Sequence, residues 1–133
     1  KVLEFAFDSR EPSNYLPHRY IRNCICYSGT HDNETLAQWL AQTSETARAY
    51  AAEYLGLTEQ EGYAWGILRS GLASVADTFI AQLQDYLGLG AEARMNTPGT
   101  VGEKNWRYRA LSSDFSAELA ARMRALCEES GRV

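Results

Sequence analysis

No apolar run in the chain approaches the roughly 20 residues that a bilayer-spanning helix needs, so no membrane partner is expected. The first residues also lack the basic-then-apolar order of a secretory signal. Positive charge is in the minority: 13 Lys and Arg stand against 17 Asp and Glu, a net charge of −4. The densest basic cluster, Lys104, Arg107 and Arg109, is too small to track a phosphate backbone, so no nucleic acid is expected. Three cysteines, Cys24, Cys26 and Cys127, are an odd and sparse set that makes no disulfide framework. They read as thiols in a reducing, cytoplasmic setting, with a Cys24–Cys26 metal pair the weaker alternative. Internal repeats and low-complexity tracts are absent as well. What is left is an ordinary globular composition, 45% hydrophobic and 23% charged over 133 residues, enough for one domain or a piece of a larger one.

The apolar pattern supplies the organisation. Residues 2–7 (VLEFAF) are mostly apolar and predict a strand buried on both faces, as parallel strands are. Residues 8–20 read as loop, with Pro12 and Pro17 as breakers. Residues 21–27 predict a second strand, which places Cys24 and Cys26 on one face. Leu36, Trp39 and Leu40 then fall at helical spacing. Ser44 suits the cap of another helix whose apolar face is Ala47, Tyr50, Ala51, Tyr54 and Leu55, stopped by Gly56. Thr58 and Glu61 have the spacing of a capping box and predict a helix through Tyr63, Ala64, Ile67 and Leu68.

Residues 72–83 are ambiguous between helix, at Leu72, Val75 and Ala76, and a short buried strand, at residues 78–81. Residues 86–109 are rich in Gly, Asn and Pro and predict an irregular, site-forming loop. A last helix would carry Phe115, Leu119, Met123, Leu126 and Cys127 on one face, with Ser113 as its cap. Strand, loop, strand, helices, short strand, loop and helix together predict an α/β class with parallel pairing. Two or three parallel strands make a small core, and a complete (β/α)8 barrel needs about 200 residues. The chain therefore reads as a slice of a larger α/β protein without an internal domain boundary.

The strings that carry chemistry are YSGTHDNET at 27–35, SVAD at 74–77, QDYLGLG at 84–90, AEARMNTPGT at 91–100 and NWRYR at 105–109. With VLEFAFD at 2–8 and YLPH at 15–18, in this order, they resemble the 4-α-glucanotransferase family, also called amylomaltases or disproportionating enzymes. The resemblance runs over essentially the whole chain. It implies a C-terminal portion of a (β/α)8 TIM barrel, about strands six to eight with their helices and not a complete barrel, extending to the C-terminus. It also implies a retaining transfer between α-1,4-glucans through a covalent glucosyl-enzyme, with one carboxylate as nucleophile and another carboxyl as acid/base. In that family both lie after the fourth and fifth strands and would precede Lys1.

Asp32 matches the family's third carboxylate, the transition-state stabiliser that binds sugar hydroxyls. His31 matches the histidine that donates to the same sugar. Asn96 and Asp8 match further substrate contacts. No metal and no organic cofactor are implied. The partners implied are an α-1,4-glucan and the missing N-terminal barrel portion, and the exposed sheet edge also offers self-association. Lacking nucleophile and acid/base, the isolated chain is expected to be inactive. The alternative is a non-catalytic piece that serves assembly or binds glucan weakly.

Read without the resemblance, Asp32 or Asn33 would be a helix N-cap, His31 a solvated loop histidine, and His18 a structural hydrogen-bonder. Asp85 would cap the turn at 86–88. Trp39, Tyr50, Tyr54 and Trp65 read as core, and Trp106 and Tyr108 as packing ahead of sugar stacking. Arg94, Arg107 and Arg109 could pair with carboxylates around the site, but surface pairs contribute little.

Overall fold

The computed structural model describes residues 1–8 and 13–133; Pro12 lies outside the described residues. Two short parallel strands, β1 (Ile25–Tyr27) and β2 (Thr78–Ile80), pair Ile25 with Thr78, Cys26 with Phe79 and Tyr27 with Ile80. Between them run helices α1 (Leu36–Gln42), α2 (Glu45–Leu55) and α3 (Tyr63–Leu72). After β2 come the single turn α4 (Leu83–Tyr86), an irregular stretch with short 3-10 turns, and α5 (Ala117–Glu129). A helical crossover between parallel strands is what the sequence pattern predicts, and the α/β class holds.

The expected first strand is reduced to one bridge. Val2 pairs in parallel with Tyr27, and Leu3–Ala6 then winds into a 3-10 turn. Leu3, Ala6 and Phe7 are buried nonetheless. With Glu4, four of the five residues 3–7 are buried, which a turn allows more easily than a strand, whose side chains alternate. The second strand is shorter than 21–27, since Ile21 is exposed. In the ambiguous stretch α3 ends at Leu72 and residues 78–80 form β2.

Capping residues define the helices. Ser44 Oγ accepts from Ala47 N–H at 3.1 Å, and Gly56 ends α2 in the left-handed region with φ of 63°. Thr58 does accept from Glu61 N–H at 3.2 Å, but it closes a turn. The helix starts later, at Tyr63, because Gly62 with φ of 89° interrupts the backbone. The last helix is capped by Ser116, which accepts from Leu119 N–H at 3.0 Å. Ser113 instead lies in the preceding 3-10 turn, and Phe115 is exposed, outside the helix.

The core gathers Leu3, Phe7, Cys26, Leu36, Trp39 and Leu68, with the Phe7 ring centroid 5.7 Å from that of Tyr50 and 6.1 Å from that of Tyr54. Trp39 is buried and Trp65 packs edge-on to Tyr86, so these aromatics are structural as expected. His18 Nδ1 lies 2.7 Å from the Tyr54 hydroxyl, the structural hydrogen bond expected of it. Cys26 and Phe79 face the helices. Ile25 and Ile80, on the opposite face of the sheet, are exposed.

Phe79 rests directly on Gly71 of α3, where any Cβ would overlap its ring. Gly71→Ala is expected to cost about 1–3 kcal/mol of stability from overpacking, outweighing the ~1 kcal/mol that alanine gains in a helix. A urea midpoint unchanged or raised in the variant would contradict this close approach.

Candidate functional site

The segment between β1 and α1, residues 28–35, carries His31 and Asp32. Three anchors fix it. Asp85 grips both ends: its Oδ2 accepts from the Ser28 hydroxyl at 2.6 Å, and its Oδ1 accepts from Leu36 N–H at 2.8 Å. Asp85 is fully buried, and burial pushes its carboxyl above the usual carboxylate range while these donors oppose that shift. The expected cap of the 86–88 turn is therefore a tie between two elements 49 residues apart in sequence. The sequence signal, an Asp after Gln84, is local. The partners come from elsewhere in the chain.

The second anchor is internal. Asn33 Oδ1 accepts from Thr30 N–H at 2.9 Å and from the Thr30 hydroxyl at 2.8 Å. The third is Arg94, which donates to the Asp32 carbonyl at 2.7 Å and to Glu34 Oε1 at 2.8 Å. Arg94 thus pairs with a carboxylate beside the site, and with the Arg94 side chain 16% and that of Glu34 33% exposed the pair is more than a fully solvated surface contact.

These anchors leave Asp32 free of capping work. Thr35 is the N-cap of α1, accepting from Gln38 N–H at 3.2 Å, and Asp85 takes the Leu36 amide. The plain helix-cap reading of Asp32 and Asn33 is overturned by this arrangement. The Asp32 side chain is 48% exposed; its Oδ1 accepts from Asn96 Nδ2 at 2.7 Å and lies 3.4 Å from His31 Nε2. Three of the four residues expected at the site therefore meet, across 64 positions of sequence. Asp8, the fourth, is exposed just beyond the first turn and, among the described residues, is bonded to neither Asp32 nor Asn96.

His31 also lines an open cleft of about 410 Å³ with Tyr27, Gly29, Thr30, Ile80, Ala81 and Gln82. The Trp106 ring lies 5.1 Å from the His31 ring. Trp106 is 59% exposed, so the packing expected of it is not what the fold provides. Its backbone has φ of 61°, a conformation rare for so bulky a residue, and its N–H is bound by the Met95 carbonyl at 2.6 Å. Backbone strain of this kind clusters at functional sites.

Sequence reasoning missed Glu4. It is only 3% exposed, and among the described residues neither carboxyl oxygen has a hydrogen-bond partner. Its head lies against Gly29, where a Cβ would stand 3.0 Å from Oε1. Burial, reinforced by the charges of Asp85 and Glu34, pushes the carboxyl up to about 9, with Arg94 opposing. The lone acidic letter inside VLEFAF was the available signal. Among the described residues, no group of three or more His, Cys, Asp or Glu side chains could hold a metal ion, and no helix is long and apolar enough to cross a membrane.

A family profile described as 4-alpha-glucanotransferase matches residues 1–113. The chain is 45% identical to the 4-alpha-glucanotransferase of Clostridium butyricum over 133 residues, covering 99% of this chain and 27% of that enzyme. It is 40% identical to the 4-alpha-glucanotransferase of Thermus thermophilus over 140 residues, covering all of this chain and 28% of that enzyme. The structure superposes with a TM-score of 0.94 and 34% identity on an amylomaltase from Streptococcus agalactiae solved in complex with acarbose, covering 99% of this chain and 27% of that one. The chain spans about a quarter of the length of the curated relatives it matches.

Proposed function

The chain belongs to the 4-alpha-glucanotransferase family, and from that membership we propose that it supplies one part of the active site of a retaining 4-α-glucanotransferase. The substrates are α-1,4-glucans such as maltodextrins, and the chain corresponds to barrel strands six to eight. The remaining barrel provides the carboxylate nucleophile and the acid/base carboxyl, and it covers the open sheet face at Ile25 and Ile80. The site of action is the cytoplasm.

In this reading Asp32 binds hydroxyls of the sugar at the cleavage point. A fixed carboxylate binds more tightly as positive charge develops at the anomeric carbon, so its effect is concentrated in the transition state. His31 donates a hydrogen bond to the same sugar, Asn96 and Asp8 contact the glucan, and the exposed Trp106 ring offers a face for stacking. The bond chemistry needs no cofactor. The observation that carries the reading is the convergence of Asp32, His31 and Asn96 beside an open cleft while α1 is capped by other residues.

The test is disproportionation of maltotriose by the chain alone and after mixing with the separately expressed remainder of the barrel. Inactivity alone with recovery on mixing is the expected result. Activity in the chain alone would overturn the placement of nucleophile and acid/base outside it. Tight maltodextrin binding by the chain, with no activity on mixing, would make it a binding module instead.

A further inference from the structure

We infer that Arg94 is a positioning residue for Asp32, holding that carboxylate in place through the backbone of both loops that build the site. The inference rests on the reading of Asp32 as the sugar-binding carboxylate. All three guanidinium nitrogens are used. Nη2 donates to the Asp32 carbonyl at 2.7 Å, Nε to the Asn96 carbonyl at 2.9 Å, and Nη1 to Glu34 Oε1 at 2.8 Å. Asp32 and Asn96 are themselves joined side chain to side chain at 2.7 Å. One planar cation therefore grips the main chain at each partner of the pair, and the pair closes the ring.

The fork geometry sets the direction of each bond. A lysine ammonium on a flexible stem cannot reach three acceptors laid out around a plane. Glu34 keeps the guanidinium oriented, and its own carbonyl accepts from Gln82 Nε2 at 3.4 Å. The loop after β1 is thereby referred to the segment after β2, on the side where the cleft opens. Arg94 donates to the Asp32 carbonyl and makes no bond to its carboxylate, so its action on the chemistry is through placement. A misplacement of about 1 Å at a reacting centre costs on the order of 100-fold in rate.

A double-mutant cycle in the completed barrel tests this. Wild type, Arg94→Met, Asp32→Ala and the double variant are compared, with α-maltosyl fluoride as donor because its leaving group needs no protonation and slow variants stay measurable. Arg94→Met is expected to lower kcat about 100-fold with KM changed less than about threefold. Arg94→Lys should recover little of that loss. In the Asp32→Ala background the same Arg94→Met change should cost less than about threefold, because there is no carboxylate left to misplace.

An undiminished rate in Arg94→Met, or a full 100-fold loss in both backgrounds, would overturn the inference; the second result would mark a general scaffold residue. Near-normal activity in Asp32→Ala alone would instead sink the reading of Asp32, whatever Arg94 does. Should Arg94→Met not fold, Glu34→Gln takes its place in the cycle, since it leaves both carbonyl bonds and removes only the guanidinium's counter-ion. Its expected loss is about tenfold in the Asp32 background and none in the Asp32→Ala background.

Discussion

Asp32→Ala in the completed barrel is expected to lower maltotriose disproportionation by on the order of 1,000-fold, and to do so without unfolding the protein. The rate loss follows from removing a fixed charge aimed at a site of developing positive charge, a loss of 100- to 1,000-fold or more where such groups have been deleted. The preserved fold follows from this structure. Thr35 caps α1 and Asp85 holds the Leu36 amide, so no helix donor loses its acceptor when Asp32 goes. The side chain is half exposed, and exposed substitutions away from caps and cores stay within about 0.5 kcal/mol. A capping Asp would behave in the opposite way, costing about 1 kcal/mol of stability and little activity. Steady-state rates and a urea titration on one preparation therefore separate the two roles. Near-normal transfer with a lowered urea midpoint would assign Asp32 to the helix.

The second large effect concerns Glu4 and pH. Its carboxyl, buried and without a partner among the described residues, is pushed up to about 9 in the folded chain, against about 4.3 when unfolded. The folded state therefore binds a proton that the unfolded state has released between these values. Stability is full below the unfolded value and falls as pH rises towards the folded one. At about 1.4 kcal/mol per pH unit, the loss between pH 5 and 7 is roughly 3 kcal/mol. Glu4→Gln keeps the shape and the neutral charge, so its stability should fall less steeply over the same range, with the slope from the buried Asp85 left in place, and exceed that of the wild type at pH 7. Urea unfolding of the isolated chain at several pH values measures both slopes. Parallel slopes would mean that Glu4 is ionised in the folded state and has found a donor.

Much of this molecule was legible in its sequence, and the legible parts share a cause. The α2 boundaries were set by Ser44 and Gly56, whose effects act within one helical turn, and the structure agrees at both ends. Local signals misled where a second local feature competed. Thr58 and Glu61 have capping-box spacing, yet Gly62 lies between them and the helix that this spacing predicts. Ser113 and Ser116 are both serviceable caps three residues apart; Ser116 caps α5, and Ser113 lies in the 3-10 turn before it. The strand expected at 2–7 satisfied a composition rule but not a contact: one residue pairs with Tyr27, and the rest turns inward to bury Leu3, Ala6 and Phe7.

The site divides in the same way. The THDN string alone is a weak signal; His31, Asp32 and Asn96 are singled out because it stands in order with the long strings after β2, which together resemble one family. The sequence by itself determined that membership, the α/β order and the two ends of α2, since each depends on residue identity at short range. Only the tertiary structure decided that Asp32 is released from capping, that Asp85 and Arg94 hold its loop, that Trp106 is exposed beside His31, and that Glu4 is buried with neither carboxyl oxygen bonded among the described residues. Each of those is a relation between segments tens of residues apart. Burial and hydrogen-bond partnership across such distances are set by how the chain packs, and no local pattern of letters encodes them.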